Sequence, residues 1–88
     1  MAGPGQSAEF VVRALADELQ RRHGITHVYG RALPVLGVLS VAAGLTVWTD
    51  GASLRWAERG TTVRWPATDI PGAAVRLAAL AAGRAWEQ

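Results

Sequence analysis

From Gly44 to Pro66, apolar and polar positions alternate in three short runs, and that alternation predicts three antiparallel strands. Asp50-Gly51 is the strongest short-range hairpin signal, because a type I′ turn needs positive φ at both central residues. A two-residue turn there predicts Thr49 opposite Ala52, Trp48 opposite Ser53, Val47 opposite Leu54, Thr46 opposite Arg55 and Leu45 opposite Trp56. Arg59-Gly60 predicts a second turn, with Glu58 opposite Thr61, Trp56 opposite Val63, Arg55 opposite Arg64 and Leu54 opposite Trp65.

Both hairpins send Leu45, Val47, Leu54, Trp56, Val63 and Trp65 to one face, and Thr46, Trp48, Ser53, Arg55, Thr62 and Arg64 to the other. A slip of one residue in either hairpin would place arginine in the core. Trp65 precedes Pro66, which biases it to an extended conformation and ends the strand.

Upstream, the period changes to that of a helix. Ser7 predicts an N-cap, Glu9 lies in the first turn, and Val11, Val12, Leu15 and Leu19 form the buried stripe with Phe10 beside them. Arg13, Asp17, Gln20 and Arg21 face water. Gly24 followed by Ile25 predicts a Schellman ending after His23.

Residues 26–31 suit at most a short edge strand, since the alternation is poor and Gly30 weakens it. Leu36 to Val41 forms a better strand, and Ala42-Ala43-Gly44 predicts a three-residue hairpin that pairs Val41 with Leu45 and Leu39 with Val47. Leu39 and Val41 then face the core, while Leu36, Val38 and Ser40 lie beside Trp48 on the far face. A second helix is expected from an Asp69 N-cap, with Pro71 in its first turn, a stripe of Ile70, Ala74, Leu77 and Ala81 with Leu80 adjacent, and an end near Gly83.

The predicted fold class is α+β: a helix, an antiparallel meander of three to five strands and a second helix, with both helices on one face of the sheet. Residues 7–83 form a single domain between a disordered tail at 1–6 and a C-terminal tail at 84–88.

Composition narrows the picture. At 88 residues and 50% apolar, the chain is a small domain that buries about 60–65% of its unfolded surface. Dimerisation would add to that burial. It has no cysteine, which removes disulfides and thiolate metal sites and makes a reducing compartment the simplest home. The pI near 10.5 suggests a polyanion binder, yet the formal net charge is only +2. All nine basic residues are arginine, so little titrates between histidine and arginine and the pI overstates the charge.

Residues 32–49 are uncharged and formally long enough for a membrane span, but Pro34, Gly37, Gly44 and the β-branched residues fit strands better. The first ten residues lack the basic and apolar regions of a signal peptide. The expectation is a cytoplasmic protein that does not engage membranes.

Several motifs together carry a resemblance: His23-Gly24-Ile25-Thr26, Val47-Trp48-Thr49-Asp50-Gly51, Trp65-Pro66-Ala67-Thr68-Asp69 and Gly72-Ala73-Ala74. With these the chain resembles a group of small actinobacterial proteins of uncharacterised function. The resemblance implies an actinobacterial cytoplasmic protein and supplies no catalytic residues. The helix, three-strand, helix order is also similar to that of double-stranded RNA-binding domains. Such domains carry lysines at the start of the second helix, where this chain has Asp69-Ile70-Pro71-Gly72-Ala73-Ala74.

No constellation for catalysis or cofactor binding emerges. His23 and His27 have helical ligand spacing, but Gly24 breaks the helix between them, and only Asp17 and Glu18 are near. Ser7, Ser40 and Ser53 lack a nucleophile-elbow context, and Asp50 and Asp69 serve a turn and a cap. No enzyme, metal or cofactor is expected.

The informative surface is the outer sheet face. Arg55 and Arg64 are expected directly opposite each other, with Trp48 diagonal to Arg55, and Leu36 and Val38 complete an apolar strip. A solvated face with arginine stems covering Trp48 is the plainest reading. The functional one is a non-enzymatic interaction module, homodimeric or bound to a protein partner through Leu36, Val38, Trp48, Arg55 and Arg64. The alternative is nucleic-acid or small-anion binding through Arg55, Arg64 and Trp48.

Overall fold

A computed structural model describes residues 7–26, 28–32, 36–42 and 44–86. Ser7 accepts the amide of Phe10 at 3.1 Å and starts helix α1, Ala8–His23. Gly24 ends it in the left-handed conformation at φ 67°, as expected, but the Gly24 and Ile25 amides both donate back to the Leu19 carbonyl, the latter at 3.1 Å, instead of to the Arg21 and Gln20 carbonyls that a Schellman ending would use. Five antiparallel strands follow in meander order: β1 Tyr29–Ala32, β2 Gly37–Ala42, β3 Leu45–Thr49, β4 Ser53–Glu58 and β5 Thr61–Pro66. Helix α2, Ile70–Trp86, closes the chain.

Both helices pack on the inner face. Val11, Val12, Leu15 and Leu19 of α1, and Ala73, Ala74 and Leu77 of α2, meet Leu39, Val41, Leu45, Val47, Leu54 and Trp56 of the sheet in one core. Val63 and Trp65 face the same way but are only partly buried, being on edge strand β5. Trp65 nevertheless stacks on Trp56, with ring centroids 5.9 Å apart and planes inclined by 29°. The fold class and the parity of the meander are therefore as the alternation predicts.

Glycine sets how closely α1 approaches the sheet. A Cβ on Gly30 would lie 2.5 Å from Val12 Cγ1, and one on Gly37 would lie 2.5 Å from Val12 Cγ2. Gly30 thus turns its bare α-carbon inward under Val12, the reason a residue that weakens strand propensity occurs in β1.

The β3–β4 register differs from the sequence expectation. Trp48 pairs with Arg55 and Thr49 with Leu54, two residues away from a two-residue Asp50-Gly51 turn. The cause is a longer turn held by its own side chains. Thr49 Oγ1 accepts the Gly51 amide at 3.0 Å and donates to the Ser53 carbonyl at 2.8 Å, while Asp50 Oδ1 accepts the amides of Ala52 and Ser53 at 2.9 and 3.0 Å. Within this turn only Gly51 has positive φ, so the type I′ conformation is not formed. A shift of two leaves every side chain on its expected face.

The β4–β5 hairpin matches its expectation, with Arg59 at φ 52° and Gly60 at φ 81° and all four expected pairs formed. In the β2–β3 hairpin Leu39 pairs with Val47 as expected, but a bulge at Val41 brings Ala42 opposite Leu45. Val41 stays buried. Gly44 takes the left-handed position at φ 76°; Ala43 lies outside the described residues.

Three further expectations are corrected. Phe10 does not join the core and is 54% exposed, while Ala8 takes a buried place. The edge strand spans Tyr29–Ala32 rather than 26–31. Helix α2 continues through Gly83 to Trp86, because one exposed glycine costs a helix only about 1 kcal/mol and does not by itself end it. Residues 1–6, His27 and residues 87–88 lie outside the described residues, and with them the expected amino-terminal tail and the second histidine of the His23–His27 pair. No helix among the described residues is long and apolar enough to cross a membrane.

Candidate functional site

The outer face is organised by one row across all five strands. Arg31 pairs with Val38, Val38 with Trp48, Trp48 with Arg55, and Arg55 with Arg64. At about 4.8 Å per strand, the row is about 19 Å wide. Val38, Trp48, Arg55 and Arg64 are thus brought together as expected, with Trp48 directly across from Arg55 instead of diagonal to it. Leu36 precedes β2 and lines a depression with Trp48, Arg55 and Thr62.

The row also contains a residue that the alternation did not reveal. Arg31 reaches the outer face because Gly30 and Ala32 pair with the inward Leu39 and Gly37. Tyr29 faces outward as well, opposite Ser40, and is 72% exposed. The signal was the spacing of Tyr29 and Arg31 about an inward glycine, hidden because glycine reads as a strand breaker.

Trp48 is 45% exposed in the middle of this row. It lines two depressions: one of about 310 Å³ with Leu36, Arg55 and Thr62, and one of about 320 Å³ whose lining includes Gly44, Thr46, Ala57 and Thr62. Arg55 borders both. Its Nε–H is buried and finds no acceptor among the described residues. A buried donor without a partner is unfavourable.

Charge is segregated across the molecule. On α1 the pairs Glu9–Arg13, Asp17–Arg21 and Glu18–Arg22 approach to 2.9, 2.8 and 3.4 Å. On the inner side, Glu58 accepts two guanidinium donors from Arg76 at 2.9 and 2.6 Å and the Trp56 indole N–H at 2.8 Å. Arg76 and Trp56 hold the Glu58 carboxyl down to about 2 from its ordinary 4.5. Asp69 Oδ1 caps α2 through the Gly72 amide at 3.1 Å, and its Oδ2 accepts the Trp65 indole N–H at 3.1 Å. The Ser53 and Ala52 amides lower the Asp50 pKa, with Arg55 the smallest contributor.

The outward strand positions by contrast hold Arg31, Arg55 and Arg64 and no carboxylate. These three charges exceed the formal net charge of the whole chain, +2, although turn residue Asp50 is near enough to Arg55 to feel its charge. None of the three forms a salt bridge with a described residue.

The serines sit apart: Ser7 caps α1, Ser40 lies on the outer face opposite Tyr29, and Ser53 presents its carbonyl to Thr49. Among the described residues no three His, Cys, Asp or Glu side chains gather as a metal site would need. Compared with protein-family models, curated proteins and solved structures, the chain matches none.

Proposed function

We propose that this chain is a non-enzymatic interaction module that works through the outer face of its sheet and takes a partner presenting anionic groups. The observation that carries this reading is the row Arg31–Val38–Trp48–Arg55–Arg64, with three arginines and no facing acid. Guanidinium groups offer a planar fork for phosphate or carboxylate, and Arg55 borders two surface depressions beside Trp48.

A second reading, a homodimer through the same face, draws on the apolar strip of Leu36, Val38 and Trp48, which a small domain benefits from covering. Electrostatics place it second. Face-to-face packing would bring six arginines together with no carboxylate from either sheet face, and like charges at an interface are unfavourable.

The test is retention on immobilised heparin together with sedimentation. The reading expects retention at low salt, loss of retention in Arg55→Gln/Arg64→Gln, and a monomer at high micromolar concentration. Flow-through of the parent at low salt would overturn it, as would a stable dimer that Trp48→Ala dissociates.

A further inference from the structure

We infer that the occupant of the outer face is single-stranded nucleic acid, with a base stacked on Trp48 and its phosphates held by Arg31, Arg55 and Arg64. This rests on the reading of the face as an anion-binding surface and specifies the partner.

Charge complementarity disfavours most of what this chain could offer itself. The α1 acids and Glu58 are paired with their own arginines, and Asp50 and Asp69 hold backbone amides. A second copy's described acids are each already engaged by an arginine or by backbone amides, which makes them weaker partners for three arginines than a polyanion.

Shape separates the external polyanions. Duplex DNA is read by a helix or a two-stranded ribbon that enters a groove, whereas these arginines lie in one row spanning a sheet about 19 Å wide. The N-terminus of α2 begins with Asp69 and Pro71, which offers no cationic clamp for a duplex backbone.

An acidic peptide would match the arginines, but it covers the exposed indole with a planar group only where it happens to carry an aromatic side chain. Every base supplies one. Trp48 lines two depressions of about 310 and 320 Å³, at the small end of the ligand-site range. Arg55, directly across the strand gap, borders both depressions, where its guanidinium can hold the adjoining phosphate. An aromatic platform in a basic groove is the general arrangement for binding single strands without strong sequence preference.

The test is fluorescence anisotropy with a labelled oligothymidylate, alongside polyglutamate, a duplex of the same length and the heparin assay. The expected result is oligothymidylate binding tighter than polyglutamate or duplex, with a log–log salt slope of about −2 from three phosphate contacts. Trp48→Ala should weaken binding about 5- to 150-fold, while Trp48→Phe, which keeps a stacking ring, stays close to the parent. Circular dichroism of both variants separates this effect from unfolding.

Heparin retention without oligothymidylate binding would overturn the nucleic-acid assignment and leave the anion-binding face standing. So would tighter polyglutamate or duplex binding, or a folded Trp48→Ala protein that binds as well as the parent. Loss of both heparin and oligonucleotide binding would bring down the two readings together.

Discussion

On the outer face of the sheet, Trp48 lies directly across from Arg55, and the guanidinium Nε–H of Arg55 is buried there without an acceptor. A buried cationic donor without an acceptor is unfavourable for the isolated domain.

The neighbouring pair is unfavourable as well. Arg55 stands directly opposite Arg64, and like charges in that position destabilise by about 0.2–1 kcal/mol. Arg64→Gln is expected to raise the urea midpoint at low salt by a corresponding amount. The advantage should shrink near 1 M salt, where the screening length is about 3 Å. A variant less stable than the parent at low salt would show that the pair is not repulsive.

Glu58 predicts an acid-dependent loss of stability. Its pKa is about 2 when folded against an ordinary value of 4.5, because Arg76 and Trp56 donate to its carboxylate. A depressed folded pKa gives stability that is fully present above the unfolded value and is lost as pH falls from about 4.5 to about 2. Urea midpoints across this window should fall more steeply in the parent than in Glu58→Gln. Parallel pH profiles would remove the assignment.

Gly37 should resist substitution more than any exposed glycine. An added Cβ would lie 2.5 Å from Val12 Cγ2, 3.0 Å from Thr49 Cγ2 and 3.2 Å from the Ala8 carbonyl oxygen, which as backbone cannot swing away. Gly37→Ala is expected to cost about 1–3 kcal/mol, the usual penalty for overpacking. Gly83→Ala, with open space around the new methyl inside α2, should stabilise by about 0.5–1 kcal/mol. Chemical denaturation of the two variants checks both signs.

Thr49 is the buried organiser of the β3–β4 turn, 1% exposed and bonded through Oγ1 to Gly51 and Ser53. Thr49→Val preserves volume but leaves the Gly51 amide and the Ser53 carbonyl without this partner, at an expected cost of about 1–3 kcal/mol. Thr49→Ser keeps the hydroxyl and loses only a methyl, so thermal denaturation should find it the more stable of the two. A valine variant as stable as the serine would show that the turn does not depend on this hydroxyl.

The alternation of Leu45, Val47, Leu54 and Trp56 was legible because one buried face forces a period of two, and that requirement is local. It assigned Trp48, Arg55 and Arg64 to the outer face, and the Ser7, Gly24 and Asp69 signals marked helix ends that depend on short-range hydrogen bonds. Face assignment also survives any even slip in register, so it held although the Asp50 turn is longer than its dipeptide signal implied.

What only the tertiary structure decided is which residues stand opposite one another and which charges are left over. The Thr49 and Asp50 side chains lengthen the turn and set Trp48 against Arg55. The descent of α1 onto Gly30 and Gly37 turns Arg31 outward to complete the row. Glu58, eighteen positions before Arg76 in the chain, is drawn to it on the inner side, away from the outer arginines. The register turns on which side-chain bonds close the turn, and the ion pairing on groups that meet only when helix and sheet pack; the alternation of apolar and polar positions carries no term for either.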